Sequence, residues 1–309
     1  MKLISAGILL ATGFAALPLF TSRSDWLNLG VQIFLAVVLA QSWNLLGGYA
    51  GQINLGHAAF FGLGALVTRL LWVGGVPLIL SLTASALVAT AFGCLIGVPA
   101  FRLRGAYFAI GTLGLAEILR ITVGNLLPQI STIPASQLAS YNILPRYYLT
   151  LTLAVLCVAT VASLVPSRIG LGIRAVREDE AAAEASGVGA LRHKLLALAL
   201  STALAGLAGG AFAFYHVSYY PQHTFTPAWT FDAVLMAYIG GVGTIHGPVL
   251  GALFYVVLKE LLAVQLVEFH LIIFSDLFML VVLFFPGGLV EAWQRIQRLI
   301  SGRATGSNL

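Results

Sequence analysis

The chain alternates long apolar runs with short polar breaks. Each run is close to the roughly 20 residues that a helix rising about 1.5 Å per residue needs to cross about 30 Å of hydrocarbon. The runs lack the alternation of barrel strands, and in lipid only helices and closed barrels satisfy every backbone amide. We therefore predict an all-α polytopic membrane protein. The ten predicted spans are 3–21, 27–46, 52–73, 77–101, 105–127, 147–165, 194–217, 226–242, 247–263 and 269–289.

A glycine-rich break at 240–248 separates the eighth and ninth spans, and it leaves a count of eight or nine spans open. Irregular backbone at membrane depth is tolerated only where protein or a watery cavity surrounds it. Glycines at four-residue spacing also let helices approach closely, as in Gly206-x-x-x-Gly210. The break therefore predicts a hinge or a close helix contact. Its candidate glycines are Gly240, Gly241, Gly243, Gly247 and Gly251.

Composition agrees with this reading, since 59% of the residues are hydrophobic and only 9% are charged. So few charges cannot cover a soluble globule of this size. The net charge of +5 does not indicate nucleic-acid binding, because the basic residues lie between apolar runs rather than on one polar face. Cys94 and Cys157 lie inside apolar runs, where a thiol behaves as a small hydrophobe. The first run is long and lacks a cleavage pattern, so we interpret it as a retained span.

Basic residues are retained on the cytoplasmic side of a membrane protein, and this rule sets the orientation. Ten spans with both termini in the cytoplasm place eleven of the sixteen basic residues on that side. They also make 166–193 a cytoplasmic loop and 128–146 an external loop. We predict one transmembrane domain over 1–290, followed by an interfacial helix and a disordered cytoplasmic tail over 291–309. The eleven basic residues are Lys2, Arg102, Arg104, Arg168, Arg174, Arg177, Arg192, Lys194, Arg295, Arg298 and Arg303.

Four polar residues inside the spans are candidates for a solute path. Gln52, Asn54 and His57 begin the third span, and Asp232 has no partner nearby in the sequence. A polar group in hydrocarbon costs several kcal/mol unless it faces protein or water. The first three therefore indicate either a solute path or hydrogen bonds between helices. No histidine, cysteine or carboxylate spacing suggests a metal, so we expect neither a metal nor a cofactor.

The source of energy is a separate question, because the sequence contains no phosphate-binding loop of the Gly-x-x-x-x-Gly-Lys-Ser/Thr type. The chain is therefore not expected to be an enzyme. Either a partner ATPase drives it, or an ion gradient acts through an intramembrane carboxylate such as Asp232 or Glu117. Glu117 and Arg120 lie three residues apart on a predicted helix, which also favours a simple ion pair.

The segment 167–187 predicts a short cytoplasmic helix. Acidic residues at 178–180 favour its start, alanines follow, and Gly187 is placed to stop it in the left-handed conformation. On the residues alone, this segment is either a solvated connector between spans or an element that docks a soluble partner.

Six segments in order resemble the branched-chain amino acid permease family of ATP-binding cassette (ABC) importers, specifically its LivM branch. The resemblance implies a non-catalytic subunit with a fold like that of the vitamin B12 importer class. Its implied partners are a homologous, LivH-like permease, two cytoplasmic ATPases and a periplasmic binding protein, all at the bacterial inner membrane. The matching segments are 43–64, 99–114, 174–187, 194–211, 240–251 and 284–289.

Carried onto this chain, the resemblance makes the segment 177–187 a coupling helix that seats in a cleft of the ATPase. The solute stays open. Residues 129–141 contain no glycine, whereas family members usually carry a Thr-Gly-Gly-rich run there, and importers of urea and short amides belong to the same family. The implied coupling residues are Arg177, Glu178, Asp179, Glu180, Glu184 and Gly187.

Overall fold

The computed structural model describes residues 12–19, 23–127, 131–132, 138, 141–265, 279 and 288. Most of the described residues are helical, as predicted, and residues 12–19 are also helical. Two short strands, β1 (Ser131–Thr132) and β2 (Ser218–Tyr219), pair in antiparallel register. The helices are α1 (Ser24–Asn44, continued by a π-helical turn at Leu45–Tyr49), α2 (His57–Val73), α3 (Leu78–Ala100), α4 (Ala106–Leu126), α5 (Ile143–Leu164), α6 (Arg168–Glu178), α7 (Glu180–Ala185), α8 (Ala190–Tyr215), α9 (Pro221–Thr224), α10 (Ala228–Gly240) and α11 (Gly247–Gln265).

Within the residues that the structure describes, five helices are long and apolar enough to cross a membrane, namely α1 with its π-helical turn, α3, α4, α5 and α8. They coincide with five of the predicted spans and confirm a multi-pass α-helical membrane protein. The predicted spans 52–73, 226–242 and 247–263 coincide with α2, α10 and α11. The spans 3–21 and 269–289 and the interfacial helix lie largely or wholly outside the described residues. The count of ten spans and the location of the termini therefore stay predictions.

Helix α2 begins later than predicted, at His57 rather than at residue 52. Gly51 adopts a left-handed φ of 68°, which turns the chain sharply after the π-helical turn of α1. The Asn54 side chain then accepts a hydrogen bond from the Gly56 amide at 2.7 Å. This local turn competes with helix, so residues 51–56 form an irregular entry to α2.

Helix α1 lies at the centre of the described bundle, because 83% of its apolar stretch is buried, against 28% in α3 and in α4. Around it, α2, α3 and α8 pack at glycine positions. A methyl group at Gly64 of α2 would fall on the backbone of Gly206 of α8, and one at Gly209 would fall on the Phe61 carbonyl. The absence of side chains at these positions lets the helix backbones touch. Close packing predicted around Gly206 is therefore confirmed.

Two buried arginines complete the C-terminal end of α8, far along this helix from α7. A helix leaves its last carbonyls without intrahelical partners, and cations are favoured there. Arg146 of α5 donates to the Phe214 carbonyl at 3.0 Å. Arg69 of α2 is 1% exposed and donates to the carbonyls of Ala213, His216 and Val217. The arginines thereby fix where α8 ends and the β2 connection begins.

Candidate functional site

Helix α7 is a separate short helix with a cap at each end. Asp179 has extended backbone angles, and its carboxylate accepts the Ala182 amide at 3.0 Å as an N-cap. At the other end Gly187 has a φ of 82°, the left-handed stop that the sequence predicts. The prediction of one helix through 177–187 is wrong at its start, because Arg177 and Glu178 belong to α6 and the chain breaks at Asp179.

An ion pair and a small apolar cluster anchor α7 on the first turns of α8. The Lys194 Nζ atom lies 2.7 Å from the Glu180 Oε2 atom, and the Lys194 side chain is only 7% exposed. Beneath the helix, Ala183 packs with Val176 and Ala190. Glu184 is exposed on the outer side of α7. The helix therefore has one face fixed to the bundle and an opposite, exposed face that carries Glu184.

Arg177 connects the end of α6 to α1. Its Nη1 atom donates a hydrogen bond to the Gly48 carbonyl in the π-helical turn, at 2.5 Å. Glycines make room for it, since a Cβ atom at Gly51 would come within 2.9 Å of the arginine Cγ atom. A Cβ atom at Gly243 would come within 2.9 Å of its Nη1 atom. Arg177 thus lies where α6, the end of α1 and the glycine-rich break meet.

The glycine-rich break is irregular, as predicted, and side chains of α1 satisfy its backbone. The buried Asn44 side chain accepts the Gly243 amide at 2.8 Å and donates to the Thr244 carbonyl at 3.0 Å. Gln41, one helical turn earlier, donates to the Ile245 carbonyl at 2.7 Å. These bonds meet the requirement that buried irregular backbone be paired within the protein.

The glycines flanking the break hold α10 against α11. A side chain at Gly251 would fall on the Met236 carbonyl, and one at Gly240 would fall on the Gly247 carbonyl. The two helices therefore touch backbone to backbone, which the four-residue spacing predicts. Gly241 and Gly243, in the break itself, have φ angles of 127° and 76°, which only glycine adopts readily.

Three of the four predicted path residues lie at the entry of α2 and make structural contacts. The His57 Nε2 atom is 2.7 Å from the Ser42 hydroxyl, and its Nδ1 atom has no hydrogen-bond partner among the described residues. Asn54 forms the local turn described above, and its carbonyl accepts the Trp43 indole N–H at 2.8 Å. Gln52 makes a long contact of 3.4 Å with the Ala50 carbonyl. Hydrogen bonding within the bundle thus accounts for their principal contacts.

Asp232 lines a different place, a cavity of about 300 Å³ between α1, α8, α10 and α11, which we call the distal cavity. The Tyr255 hydroxyl donates to its Oδ1 atom at 2.6 Å. The Lys259 Nζ atom lies 3.6 Å from its Oδ2 atom. The structure therefore separates Asp232 from Gln52, Asn54 and His57, which do not line this cavity.

The predicted pair of Glu117 and Arg120 is confirmed, with the arginine Nε atom donating to the Glu117 Oε2 atom at 2.8 Å. Both side chains are partly exposed on α4. Among the residues that the structure describes, no group of three histidine, cysteine or acidic side chains is arranged to hold a metal ion.

Comparison with known proteins decides the family. A sequence model of the family described as "Branched-chain amino acid transport system / permease component" matches residues 26–285. The chain belongs to this permease family. The permease is 29% identical to the "High-affinity branched-chain amino acid transport system permease protein LivM" of Salmonella typhimurium, over 94% of this chain and 76% of that protein. The LivM protein of Escherichia coli gives the same identity and coverage.

A more distant relative of the permease is the "Probable branched-chain amino acid transport permease protein LivM" of Methanocaldococcus jannaschii. It is 26% identical over 69% of this chain and 68% of that protein. No solved structure gives a match. The resemblance to the LivM branch is confirmed by the family match and by these relatives.

Sequence reasoning missed several polar residues that organise the permease. Gln41 and Asn44 lie three residues apart in an apolar helix, and that spacing is the signal that could have identified them, because polar groups in a span need interior partners. Lys194 lies at the start of the predicted span 194–217, and nothing nearby in the sequence indicates its ion pair with Glu180, 14 residues earlier. Tyr255 carried no signal at all, since tyrosine is common in membrane helices.

Proposed function

We propose that this permease is the transmembrane subunit of an ATP-binding cassette importer that carries leucine, isoleucine and valine inward. The family match and the names of the LivM relatives support this solute class. The observation that carries the proposal is α7, a capped helix with one face anchored by Lys194 and an acidic face exposed. An exposed acidic helix of this kind can seat in a cleft of a soluble partner that offers complementary basic groups.

In this proposal the permease performs no covalent chemistry, and partner ATPases hydrolyse ATP. ATP binding closes the ATPase pair and pushes α7, which moves with the neighbouring α6 as a lever. The pair of Glu180 and Lys194 passes the displacement to α8. Arg177 passes it to the end of α1 and to the glycine-rich break. The permease then rocks against its partner, so that solute admitted on one side is released on the other.

The proposed assembly contains this permease, a homologous LivH-like permease, two ATPases and a periplasmic binding protein in the bacterial inner membrane. Ten spans over 1–290 would place both termini and 291–309 in the cytoplasm, in a fold like that of the vitamin B12 importer class. Two observations support this layout. The helices α6 and α7 and the glycine-rich break cluster at the N-terminal end of α8, whereas the buried Arg69 binds its C-terminal end.

The site roles within this assembly are also proposals. Glu178, Asp179, Glu180, Glu184 and Gly187 would form or shape the surface that meets the ATPase. Arg177 would face inward from it as the link to α1. Gln52, Asn54 and His57 would shape the inner end of the path through their contacts at the entry of α2, and Asp232 would face solute in the distal cavity.

Uptake by the reconstituted assembly tests the proposal. Proteoliposomes with ATP inside and binding protein outside are expected to accumulate radiolabelled leucine, and a hydrolysis-deficient ATPase should abolish accumulation. Uptake by the permease alone under a pH gradient without ATP would instead indicate an ion-driven transporter. ATP-driven uptake of urea without uptake of leucine would assign the importer to the urea and short-amide group.

A further inference from the structure

The distal cavity contains opposite charges beside an apolar wall. Asp232 of α10 and Lys259 of α11 face each other across 3.6 Å. Aliphatic and aromatic side chains form the apolar part of the lining, namely Leu35, Leu39, Phe61, Trp229, Met236 and Val256. The polar side chains of Gln32, Tyr215 and His216 also line the cavity. At about 300 Å³ the cavity is at the small end of ligand pockets, which suits a solute of a few heavy atoms.

The ion pair contributes little to holding the bundle together. Its N–O separation of 3.6 Å is longer than a hydrogen bond, and the Lys259 side chain is 53% exposed. Pairs of this kind contribute about 0–1 kcal/mol to stability. Asp232 and Lys259 lie in α10 and α11, which coincide with the predicted spans 226–242 and 247–263, and ionisable groups within a span are costly and mark pathways or ligand sites. A structural role therefore explains the presence of these two charges poorly.

The two charges differ in how firmly they are held. The Tyr255 hydroxyl fixes the Asp232 carboxylate through a 2.6 Å hydrogen bond. Lys259 has a flexible four-carbon stem, and its ammonium lies 5.5 Å from the centre of the Tyr255 ring. The carboxylate is therefore a fixed point, and the ammonium can swing aside to admit a ligand between the two.

We infer that the distal cavity binds a zwitterionic α-amino acid with an aliphatic side chain. The ligand ammonium pairs with Asp232, the ligand carboxylate pairs with Lys259, and the aliphatic side chain lies against Leu35, Leu39 and Val256. This assignment rests on the proposed function and adds to it an internal site that recognises both the ammonium and the carboxylate of the solute. A neutral solute such as urea would leave both protein charges without a ligand partner, so the site discriminates against it.

Charge-selective binding tests the assignment in the complete permease–ATPase complex in nanodiscs, without binding protein. The probes are leucine, leucinamide, which lacks the carboxylate, and 4-methylpentanoate, which lacks the ammonium. Lys259→Gln is expected to weaken leucine at least tenfold and leucinamide less than twofold. Asp232→Asn is expected to weaken both of these ligands, and to improve 4-methylpentanoate relative to leucine at least tenfold. Arg104→Gln, which removes an exposed cation between α3 and α4, is the matched control and should bind leucine like the unaltered complex.

Conservative variants separate ligand binding from folding. Asp232→Glu and Lys259→Arg keep both charges and should keep leucine affinity within about threefold. Leucine affinity that stays within twofold in both charge-removing variants would overturn the assignment, and so would equal weakening of all three probes. ATP-driven leucine uptake by the unaltered complex is measured in parallel. If the unaltered complex takes up leucine but the charge-removing variants keep its probe selectivity, the site is refuted and the proposed importer stands. If the unaltered complex takes up no leucine, the importer itself is refuted.

Discussion

The anchoring of α7 gives the sharpest test of how the permease receives work from another protein. Glu180→Lys replaces the attraction to Lys194 by repulsion, and it also removes one acidic group from the helix. Lys194→Glu breaks the same pair from the other side. Reversing both charges together restores the pair with opposite polarity. If Glu180 acts mainly by holding α7 on α8, the double variant should recover what each single variant loses.

The size of the effect follows from the geometry of the pair. The N–O distance is 2.7 Å, and the side chains are 7% exposed for Lys194 and 44% exposed for Glu180. Breaking a fully buried pair costs about 3–5 kcal/mol, whereas an exposed pair contributes about 0.2–1 kcal/mol. Because Lys194 is buried and Glu180 is well exposed, solvent screening places this pair between the two limits and closer to the exposed one, at about 1–2 kcal/mol. That energy corresponds to about a 5- to 30-fold change in the population of anchored α7.

The assay is the increase in ATPase activity when loaded binding protein is added to the reconstituted complex. Each single variant should lose about 5- to 30-fold of this stimulation, and the double variant should return to within about threefold of the unaltered complex. Glu184→Lys, on the exposed side of α7, is the matched control. Because Glu184 does not pair with Lys194, adding Lys194→Glu should not restore the stimulation that Glu184→Lys loses. A double variant as impaired as the singles would refute the anchoring argument, because Glu180 would then act through the partner.

Three further substitutions test the other contacts. Arg177→Met removes a charged donor to a backbone carbonyl, which contributes about 1.5 kcal/mol, so the leucine carried per ATP should fall about tenfold. Arg192→Met, at an exposed position in the first turn of α8, should leave this ratio unchanged. Asn44→Leu removes the partner of two partly buried backbone groups, which should cost the lower end of about 1–3 kcal/mol each and lower the thermal unfolding midpoint of the detergent-solubilised permease. Gly251→Leu places a side chain on the Met236 carbonyl and should abolish assembly of the permease–ATPase complex, measured by size-exclusion chromatography. Gly114→Leu, with open space around its Cβ position, should assemble normally.

Features set by nearby residues were predictable from the sequence. Long apolar runs became long helices because bilayer thickness fixes their length. The stop at Gly187 and the pair of Glu117 and Arg120 follow from residues within one turn of each other. The acidic run predicted a helix from residue 177, whereas α7 begins at Glu180, directly after its N-cap Asp179. The predicted start was therefore wrong by only three residues.

Contacts between helices distant in sequence were not predictable, because hydropathy does not say which helices are neighbours. The bonds from Asn44 to the glycine-rich break cross about 200 residues of sequence. The partners of Asp232 lie on the next helix, which begins only after an irregular break. The polarity of Asn54 indicated either a solute path or hydrogen bonds between helices, and it did not indicate the local turn that its side chain closes. Polarity in a span indicates the need for a partner without identifying it.

The helices α1 and α10 both reach the glycine-rich break and the distal cavity, and in the proposed importer this would link the two places. On α1, Leu39 lines the cavity and Asn44 binds the glycine-rich break five residues later, about 8 Å along the helix axis. On α10, Asp232 lies eight residues before Gly240, about 12 Å from the same break. Coupling between two sites requires a structural element with two arrangements whose equilibrium each site shifts. When one rigid helix reaches both sites, no chain of intermediate residues is needed. A shift of α1 against α10, started by Arg177 at the Gly48 carbonyl, would therefore alter the distal cavity directly.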